Sequence, residues 1–345
     1  MIETYLLFLL SAFVVIMAGT KLSKYGDIIA EATPLGHSIV GGILIAAATS
    51  LPELVTSVSS ALMDAPDIAI GNVYGSNIFN LMILALVDIF HQQGRFLVHV
   101  KSNHILAAMF GILLSAVGAI GLLVAQVSGI DKVIGWISVT SIIIFTIYVF
   151  ASIIIVRYEN KSQRELKEEV KEELYIKGMI SEKQVKKGNV SLRRAIVGFI
   201  LASLVIIWAG INLTKTGDQI AIDTGLGQTF VGTLLIAATT SLPELVASMF
   251  AIKIGAYDMA VGSVLGSNIF NMLIITATDA VYFKGSIFSV IEINHAITAM
   301  AGILLSSMAV IGLFYRSKRT ILSIGWDSVF ILTFYLGTVY LLYIS

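Results

Sequence analysis

Two Pro-Glu dipeptides stand in the middle of long apolar stretches, where neither residue type is expected. Pro52 and Glu53 lie in the second stretch, and Pro243 and Glu244 lie in the seventh. A proline inside a helix removes a backbone hydrogen bond and crowds the carbonyl four residues before it, so nearby carbonyl oxygens become free. A charged side chain at mid-bilayer costs at least about 2.5–3.5 kcal/mol unless its charge is compensated. Free carbonyls beside an acidic side chain therefore indicate a cation site.

Hydroxyl side chains precede both dipeptides and extend this set of oxygen ligands. Thr49 and Ser50 come before the first dipeptide, and Thr240 and Ser241 come before the second. The inner parts of the apolar stretches contain no Lys or Arg, so the compensating charge must come from bound cations or protons. Hard cations such as Ca²⁺ and Na⁺ prefer oxygen ligands, whereas zinc and copper prefer nitrogen and sulfur. The sequence thus predicts a site for Ca²⁺ or Na⁺.

Two copies of the sequence GSNIFN, which begin at residues 75 and 266, supply further polar side chains. Their glycines permit close helix approach. The serine and the second asparagine of each copy are four residues apart, so they share one helix face. These side chains either join helices by hydrogen bonds or complete the cation site between four helices. Because they recur beside the Pro-Glu dipeptides, we favour the second role for Ser76, Asn80, Ser267 and Asn271.

The elements that carry these motifs are predicted to be membrane-spanning helices. Of the 345 residues, 57% are hydrophobic and 13% are charged, whereas soluble domains contain about 25% charged residues. Apolar runs of about 20 residues, the length that crosses a bilayer, recur along the whole chain. We predict an all-α polytopic membrane protein with ten spans, starting near residues 4, 36, 68, 103, 132, 194, 228, 259, 294 and 321.

This composition also excludes several classes of protein. The apolar excess excludes an ordinary soluble enzyme, and the formal net charge of zero argues against a nucleic-acid partner. The chain has no cysteine, so it contains no disulfide or thiolate metal site. We expect no resident cofactor and no obligatory protein partner, only the lipid bilayer and the cations of the predicted site.

The chain contains an internal repeat. At an offset of 191 residues, residues 49–80 and 240–271 share 19 identities in 32 positions without a gap. Five predicted spans precede the polar segment 157–193 and five follow it, so we expect repeats at 1–156 and 194–345. Because each repeat has an odd number of spans, the second enters the membrane from the opposite side. Inverted repeats provide two nearly equivalent packings, as alternating access requires.

The polar segment between the repeats predicts the orientation of the chain. Residues 157–194 contain 11 of the 22 Lys and Arg residues. With this linker in the cytoplasm, 19 basic residues lie on the cytoplasmic side and 3 on the other. Basic residues prefer the cytoplasmic side. We therefore predict a protein of the plasma membrane with both termini outside.

The two segments TSLPELVTS with GNVYGSNIFN, and TSLPELVAS with GSVLGSNIFN, resemble the two alpha-repeats of the calcium/cation antiporter superfamily. They are most similar to its prokaryotic sodium/calcium exchanger branch. The resemblance implies a ten-helix exchanger fold. It also implies that Ca²⁺ is held by Glu53, Glu244 and the carbonyls of Thr49 and Thr240.

The resemblance implies sodium sites as well, with Asn80 and Asn271 flanking the centre. The residues implied to bind sodium are Ala46, Ser50, Ser76 and Glu53 in the first repeat, and Ala237, Ser241, Ser267 and Glu244 in the second. Members of this branch can carry Asp at the position of Asn271, so this chain has one fewer potential charge there. That difference makes potassium dependence and proton binding at this position less expected.

These observations predict an antiporter, not an enzyme, that exchanges Na⁺ for Ca²⁺ by alternating access. The ions would compete for a shared site near the middle of the membrane. The first alternative is an antiporter of H⁺ against Ca²⁺ or another divalent cation. A cation channel and an intramembrane hydrolase with a glutamate dyad are more distant alternatives, since neither explains inverted Pro-Glu repeats.

Overall fold

The fold is described from a computed structural model of the chain. The structure describes residues 2–32, 49–91, 96–129, 132–176, 192–253, 255–316, 320–321 and 324–344. Within these ranges the protein is almost entirely helical, with two short β-hairpins. This confirms the predicted all-α class.

Eleven helices occur within the described residues. In the first half they are α1 (Ile2–Ala32), α2 (Leu51–Leu62), α3 (Pro66–His91), α4 (His104–Ser128) and α5 (Val139–Ile176). In the second half they are α6 (Leu192–Thr224), α7 (Gln228–Thr240), α8 (Leu242–Lys253), α9 (Tyr257–Val281), α10 (His295–Tyr315) and α11 (Trp326–Ile344). A π-helical turn interrupts α7 at Val231–Ile236.

Nine of the ten predicted spans correspond to helices of suitable length. Within the described residues, eight helices are long and apolar enough to cross a membrane, and the bent pair α7 and α8 forms a ninth candidate. The predicted second span begins near residue 36, so its first part lies outside the described residues and α2 is its second part. The count of ten therefore stays a prediction.

Short hairpins precede the last helix of each half, and no pattern in the sequence predicts them. Strands β1 (Val133–Ile134) and β2 (Ile137–Ser138) pair before α5, and β3 (Thr320–Ile321) and β4 (Ile324–Gly325) pair before α11. Helices α5 and α11 consequently begin several residues after the predicted starts near residues 132 and 321. The apolar residues of the strands extended the hydrophobic runs and masked the turn.

The structural elements repeat at the same offset as the sequence. Adding 191 to the first residues of α2, α3 and α4 gives the first residues of α8, α9 and α10. The 3₁₀-helix Phe96–His99 likewise corresponds to Ile287–Ser289. The two halves therefore have the same order of elements wherever both are described.

Equivalent helices run in opposite directions, as inverted repeats require. Asp64, just before α3, forms an ion pair of 2.6 Å with Lys284, just after α9. At the other ends of the same helices, the rings of His91 and Tyr257 lie 5.3 Å apart. The start of α3 thus meets the end of α9, and the end of α3 meets the start of α9.

A pair of His-Asp contacts relates the halves in the same way. His295 Nε2 lies 3.0 Å from Asp67 Oδ1, and His104 Nε2 lies 3.2 Å from Asp258 Oδ1. Each contact joins the start of a helix in one half to the start of a helix in the other. Because α3 and α9 run in opposite directions, the two contacts lie at opposite ends of this helix pair, and each joins the two halves.

Candidate ion-binding site

Both Pro-Glu dipeptides lie at helix breaks. Helix α2 begins one residue before Pro52, and α8 begins one residue before Pro243. The preceding residues Ser50 and Ser241 leave the α-helical conformation, with ψ angles of 12° and 4°. At the second break the axes of α7 and α8 differ by 41°. Proline has no N–H and is tolerated in a first helical turn, which explains why new helices begin there.

The two glutamates lie in the first turns of α2 and α8, and both are completely buried. The amino end of a helix carries a partial positive charge that favours a carboxylate. This contribution is about 0.3–2 kcal/mol, which is less than the cost of a charge at mid-membrane. The helix ends therefore favour the ionised glutamates without neutralising them.

The hydrogen bonds of the two carboxylates are incomplete. Ser241 Oγ donates to Glu53 Oε1 at 2.8 Å. Within the described residues, Glu53 Oε2 and both carboxylate oxygens of Glu244 have no hydrogen-bond partner. The hydroxyls of Thr49 and Ser50 flank Glu244, and the two carboxylates are close enough to repel each other. Three buried carboxylate oxygens thus remain available to a ligand.

Each glutamate is surrounded mainly by groups from the other half. Glu53, in the first half, lies beside Thr240 and Ser241 of the second half. Glu244, in the second half, lies beside Thr49 and Ser50 of the first. The helix breaks of the two halves therefore lie side by side at one centre, as expected from their matched positions in the sequence.

Four asparagines connect α3 and α9 next to this centre. Asn80 Nδ2 donates to Asn268 Oδ1, and Asn271 Nδ2 donates to Asn77 Oδ1, both at 3.0 Å. Within the described part of the chain, the Oδ1 atoms of Asn80 and Asn271 are buried and have no partner. Because the amide nitrogens are engaged across the halves, the two oxygens are the groups left to accept or coordinate.

Sequence reasoning missed Asn77 and Asn268. Both belong to the repeated GSNIFN segment, which was the available signal, but they lie three residues before Asn80 and Asn271 and were not assigned a role. Their partners come from the opposite half, which local helix spacing alone does not reveal.

The remaining predicted residues lie in the same region, with one exception. Ser76 is fully buried, and its Oγ has no partner among the described residues. Ser267 Oγ lies 3.2 Å from Thr49 Oγ1. A Cβ at Gly75 would lie 2.7 Å from the Cβ of Ala237, so the glycine brings α3 close to α7, as predicted. Ala46 lies outside the described residues.

Helix α1 covers the site at a glycine. A Cβ at Gly19 would lie 2.5 Å from Pro243 Cγ and 3.8 Å from Pro52 Cγ. Only a glycine allows the α1 backbone to pass this close to both prolines. The first helix therefore lies directly over the two breaks.

The acidic part of the centre consists of two side chains. Within the described residues, no group of three or more His, Asp or Glu side chains is arranged to hold a metal ion. A divalent cation at this centre would thus depend on hydroxyl, amide and carbonyl oxygens in addition to two carboxylates. Flexible, oxygen-rich coordination of this kind suits Ca²⁺.

Comparisons with known proteins agree with this architecture. The family described as "Sodium/calcium exchanger protein" matches residues 3–154 and 194–344, which together form most of the chain. The sodium/calcium exchanger MaX1 of Methanosarcina acetivorans is 32% identical over 121 residues, 34% of this chain and 32% of that protein. The putative antiporter CaxA of Alkalimonas amylolytica is 34% identical over 94 residues, 27% of this chain and 30% of that protein. The matched stretches thus span about a third of each relative.

Solved structures share the fold at low sequence identity. The sodium-calcium exchanger NCX_Mj superposes with a TM-score of 0.61 at 20% identity, covering 98% of both chains. The H⁺/Ca²⁺ exchanger CAX superposes with a TM-score of 0.70 at 13% identity, covering 99% of this chain and 85% of the other. The fold, the two repeats and the family match lead to one conclusion. The chain belongs to the sodium/calcium exchanger protein family, whose members are membrane transporters and not enzymes.

Proposed function

We propose that this chain is a secondary active antiporter that exchanges Na⁺ for Ca²⁺ by alternating access at one shared site. The observation that carries this proposal is the pair of fully buried glutamates from opposite halves. Three of their four carboxylate oxygens have no hydrogen-bond partner in the described residues. A buried charge without a partner is costly, so a cation that binds these oxygens recovers a large free energy.

The charge of the site explains why transport would be coupled. Two ionised glutamates carry a charge of −2, which one Ca²⁺ or two Na⁺ neutralise. Both ions then compete for the same oxygens, and only a loaded site can pass the apolar barrier because the empty, charged site is too costly to move. Occupancy would thus control the change between outward and inward openings.

The proposed ligands follow the predicted roles. Ca²⁺ would bind the carboxylates of Glu53 and Glu244 and the backbone carbonyls of Thr49 and Thr240. The predicted sodium sets take their groups from one half each: Ala46, Ser50 and Ser76 with Glu53, and Ala237, Ser241 and Ser267 with Glu244. Because Ser241 Oγ donates to Glu53 and Ser50 flanks Glu244, we propose that the two serines exchange places, so that each sodium set draws on both halves. Asn80 and Asn271 would border the site with their Oδ1 atoms.

The proposed orientation places the linker in the cytoplasm and both termini outside the plasma membrane. Arg316 donates to the carbonyl of Val100 at 2.8 Å. Lys101 lies near Glu159, the last residue of the apolar part of α5 before the helix continues into the linker. Two basic residues, Arg316 and Lys101, therefore lie at the linker face, which supports the orientation expected from the positive-inside rule.

Exchange of H⁺ for Ca²⁺ is the second candidate, because the fold superposes on the H⁺/Ca²⁺ exchanger CAX with the higher TM-score, 0.70 against 0.61. The hydroxyl groups around the glutamates favour sodium. A proton needs only a carboxylate, whereas Na⁺ needs several oxygen ligands, and serine and threonine hydroxyls flank each glutamate. We therefore place sodium first.

The test is ⁴⁵Ca²⁺ uptake into proteoliposomes that contain the purified full chain. Vesicles loaded with Na⁺ and diluted into Na⁺-free buffer should accumulate Ca²⁺. Vesicles loaded with K⁺, or with an outward proton gradient and no Na⁺, should not. Glu53→Gln and Glu244→Gln should each abolish the sodium-driven signal, because each removes one charge from the site.

Asp223→Asn is the matched control, since it also converts a carboxylate to an amide but at an exposed position. It should leave uptake unchanged. Uptake driven by a pH gradient alone would select the proton exchanger instead. Ca²⁺ entry with no counter-ion gradient would indicate a channel, and persistent sodium-driven uptake in both glutamate variants would refute the site.

A further inference from the structure

Asn72 connects three segments of the candidate site. It lies in α3, one turn before Gly75, and it is completely buried. Its Nδ2 donates to the backbone carbonyl of Glu53 at 3.2 Å and to Ser57 Oγ at 2.9 Å. Its Oδ1 accepts from Thr240 Oγ1 at 3.0 Å. Both polar atoms of the carboxamide are therefore engaged.

These partners belong to the elements that position the proposed calcium ligands. Glu53 and Ser57 lie in the first two turns of α2, while Thr240 is the last residue of α7, just before the second helix break. One carboxamide thus ties the helix that carries Glu53 to the break in the opposite half. It therefore joins the two residues that carry proposed ligand groups, the Glu53 carboxylate and the Thr240 carbonyl, through their other polar atoms.

The equivalent position in the second half lacks this connection. The residue 191 positions after Asn72 is Ser263, and the residue equivalent to Ser57 is Ser248. Neither Oγ has a hydrogen-bond partner among the described residues. Thr49, the equivalent of Thr240, instead lies 3.2 Å from Ser267. A serine side chain is too short to make the three contacts that Asn72 makes.

We propose that Asn72 is a positioning residue that makes the two halves of the ion site unequal. It holds the Glu53 side in a preformed arrangement, whereas the Glu244 side, with both carboxylate oxygens unpaired, rearranges as ions bind and leave. This inference rests on the proposed function and identifies which half of the site is preorganised for Ca²⁺. Preorganisation raises affinity because fewer groups must be ordered on binding.

The consequence is a specific loss of affinity when Asn72 is shortened. Asn72→Ser gives the first half the residue that the second half already has. The calcium concentration for half-maximal uptake should rise about five- to tenfold, the equivalent of one or two lost hydrogen bonds. The maximal rate at saturating Ca²⁺ should stay within about twofold, because Asn72 is not a proposed ligand.

The experiment compares sodium-driven ⁴⁵Ca²⁺ uptake by the wild-type chain, Asn72→Ser and the matched control Ser263→Ala. Ser263→Ala removes the unpaired hydroxyl at the equivalent position and should leave the half-maximal calcium concentration unchanged. Absence of sodium-driven uptake by the wild-type chain would refute the proposed function itself. Wild-type uptake with an unchanged half-maximal concentration in Asn72→Ser, or an equal rise in Ser263→Ala, would refute the inference alone.

A double-mutant cycle separates positioning from a general structural role. Thr240→Val removes only the hydroxyl that Asn72 accepts from, and it keeps the backbone carbonyl. If Asn72 acts through Thr240, the double variant should lose less affinity than the sum of the single variants. Additive losses, or a lower melting temperature with no change in calcium dependence, would overturn the proposal. If Asn72→Ser does not fold, Ser57→Ala takes its place in the uptake measurement. This variant removes one hydrogen-bond partner of Asn72 and leaves Asn72 itself unchanged.

Discussion

Two pairs of buried acidic residues recur in both halves of the molecule, and their surroundings differ. Asp88 and Asp279 lie at the ends of α3 and α9, and they are 3% and 0% exposed. Glu53 and Glu244 are equally buried. Every carboxylate oxygen of the aspartates accepts a hydrogen bond, whereas three of the four glutamate oxygens have no partner in the described residues. Burial and repetition are shared, so the missing hydrogen bonds are what distinguish a candidate ion site.

The aspartates join the two halves near the ends of α3 and α9. Asp88 accepts from the backbone N–H of Phe96 in its own half and from that of Gly325 in the other, at 3.3 and 2.7 Å. Asp279 accepts from the N–H of Ile287 in its own half and from that of Ser138 in the other, both at 2.8 Å. Each aspartate therefore links a 3₁₀-helix to the hairpin of the opposite half. These hydrogen bonds therefore stabilise the fold.

The largest predicted effect concerns the response to ions. In Glu53→Gln and Glu244→Gln, Ca²⁺ should no longer raise the melting temperature of the purified protein. A bound ligand at 100 times its dissociation constant stabilises by about 2.7 kcal/mol, and this gain should vanish. In ion-free buffer the variants should melt at or above the wild-type temperature, because an amide is less costly to bury than an unpaired carboxylate. Thermal unfolding in detergent, with and without Ca²⁺, measures both quantities.

The opposite result would remove the contrast between the two pairs. A glutamate variant that melts well below the wild type in ion-free buffer would mean that the carboxylate stabilises the fold as the aspartates do. A calcium-induced shift that survives in both variants would place the calcium site elsewhere.

Asp88→Asn and Asp279→Asn should produce the next largest effect, on stability instead of ion binding. An amide keeps one acceptor but loses a charge-assisted hydrogen bond, so each variant should lose about 1.5–3 kcal/mol. The calcium-induced rise in melting temperature should persist in both. Loss of the calcium response without loss of stability would assign these aspartates to ion binding and end the distinction.

The sequence predicted the repeats, the helix breaks and the two glutamates because these depend on local signals. Proline and glutamate within an apolar run, and identical segments at one offset, can be recognised without knowing how helices pack. By their place in the sequence, eight residues beyond Asn80 and Asn271, the aspartates resemble solvated helix ends. In the structure they are buried instead, because a 3₁₀-helix of the same half and a hairpin of the opposite half bind them.

Several contacts that the sequence did not reveal cross between the halves. Asn77 accepts from Asn271, Asn268 accepts from Asn80, and Asn72 accepts from Thr240. The sequence predicts which face of a helix a residue occupies, but not which residue of another helix lies opposite. Such pairing depends on how α3 is translated relative to α9 and α7, which no local pattern specifies.

Asn271→Asp should have a moderate effect. Asn271 now donates to Asn77 Oδ1, and an aspartate cannot donate there. Asn77 can compensate by turning its amide, because the partner of its Nδ2 among the described residues is the sulfur of Met272, a weak acceptor. Sodium-driven uptake should therefore persist, with a change of about threefold in the calcium concentration for half-maximal uptake. Proton-driven uptake that no longer requires sodium would show that residue 271 determines the coupling ion.

The smallest effect is expected for a carboxylate that is exposed and already paired. Asp64 lies 2.6 Å from Lys284, and both side chains are more than half exposed. The hydrogen bond from Lys284 holds the pKa of the Asp64 carboxyl below its ordinary value. Because this pKa is lowered on folding, the ion pair stabilises the folded protein at pH values above the unfolded-state pKa of an aspartate, about 4. That stabilisation is lost only as the pH falls through the pKa of Asp64 in the folded protein.

Lys284→Met should therefore shift the melting temperature by an amount close to the scatter of replicate measurements, because solvent screens exposed ion pairs. The small difference from the wild type should stay constant from pH 8 to pH 5, since Asp64 remains ionised throughout this range. Asp64→Asn should behave in the same way. A difference that grows as the pH falls from 8 to 5 would mean that Asp64 titrates well above its ordinary range, as a carboxylate lacking a partner does. In that case, solvent exposure and an ion pair would not distinguish the Asp64 carboxylate from the two unpaired glutamates at the centre.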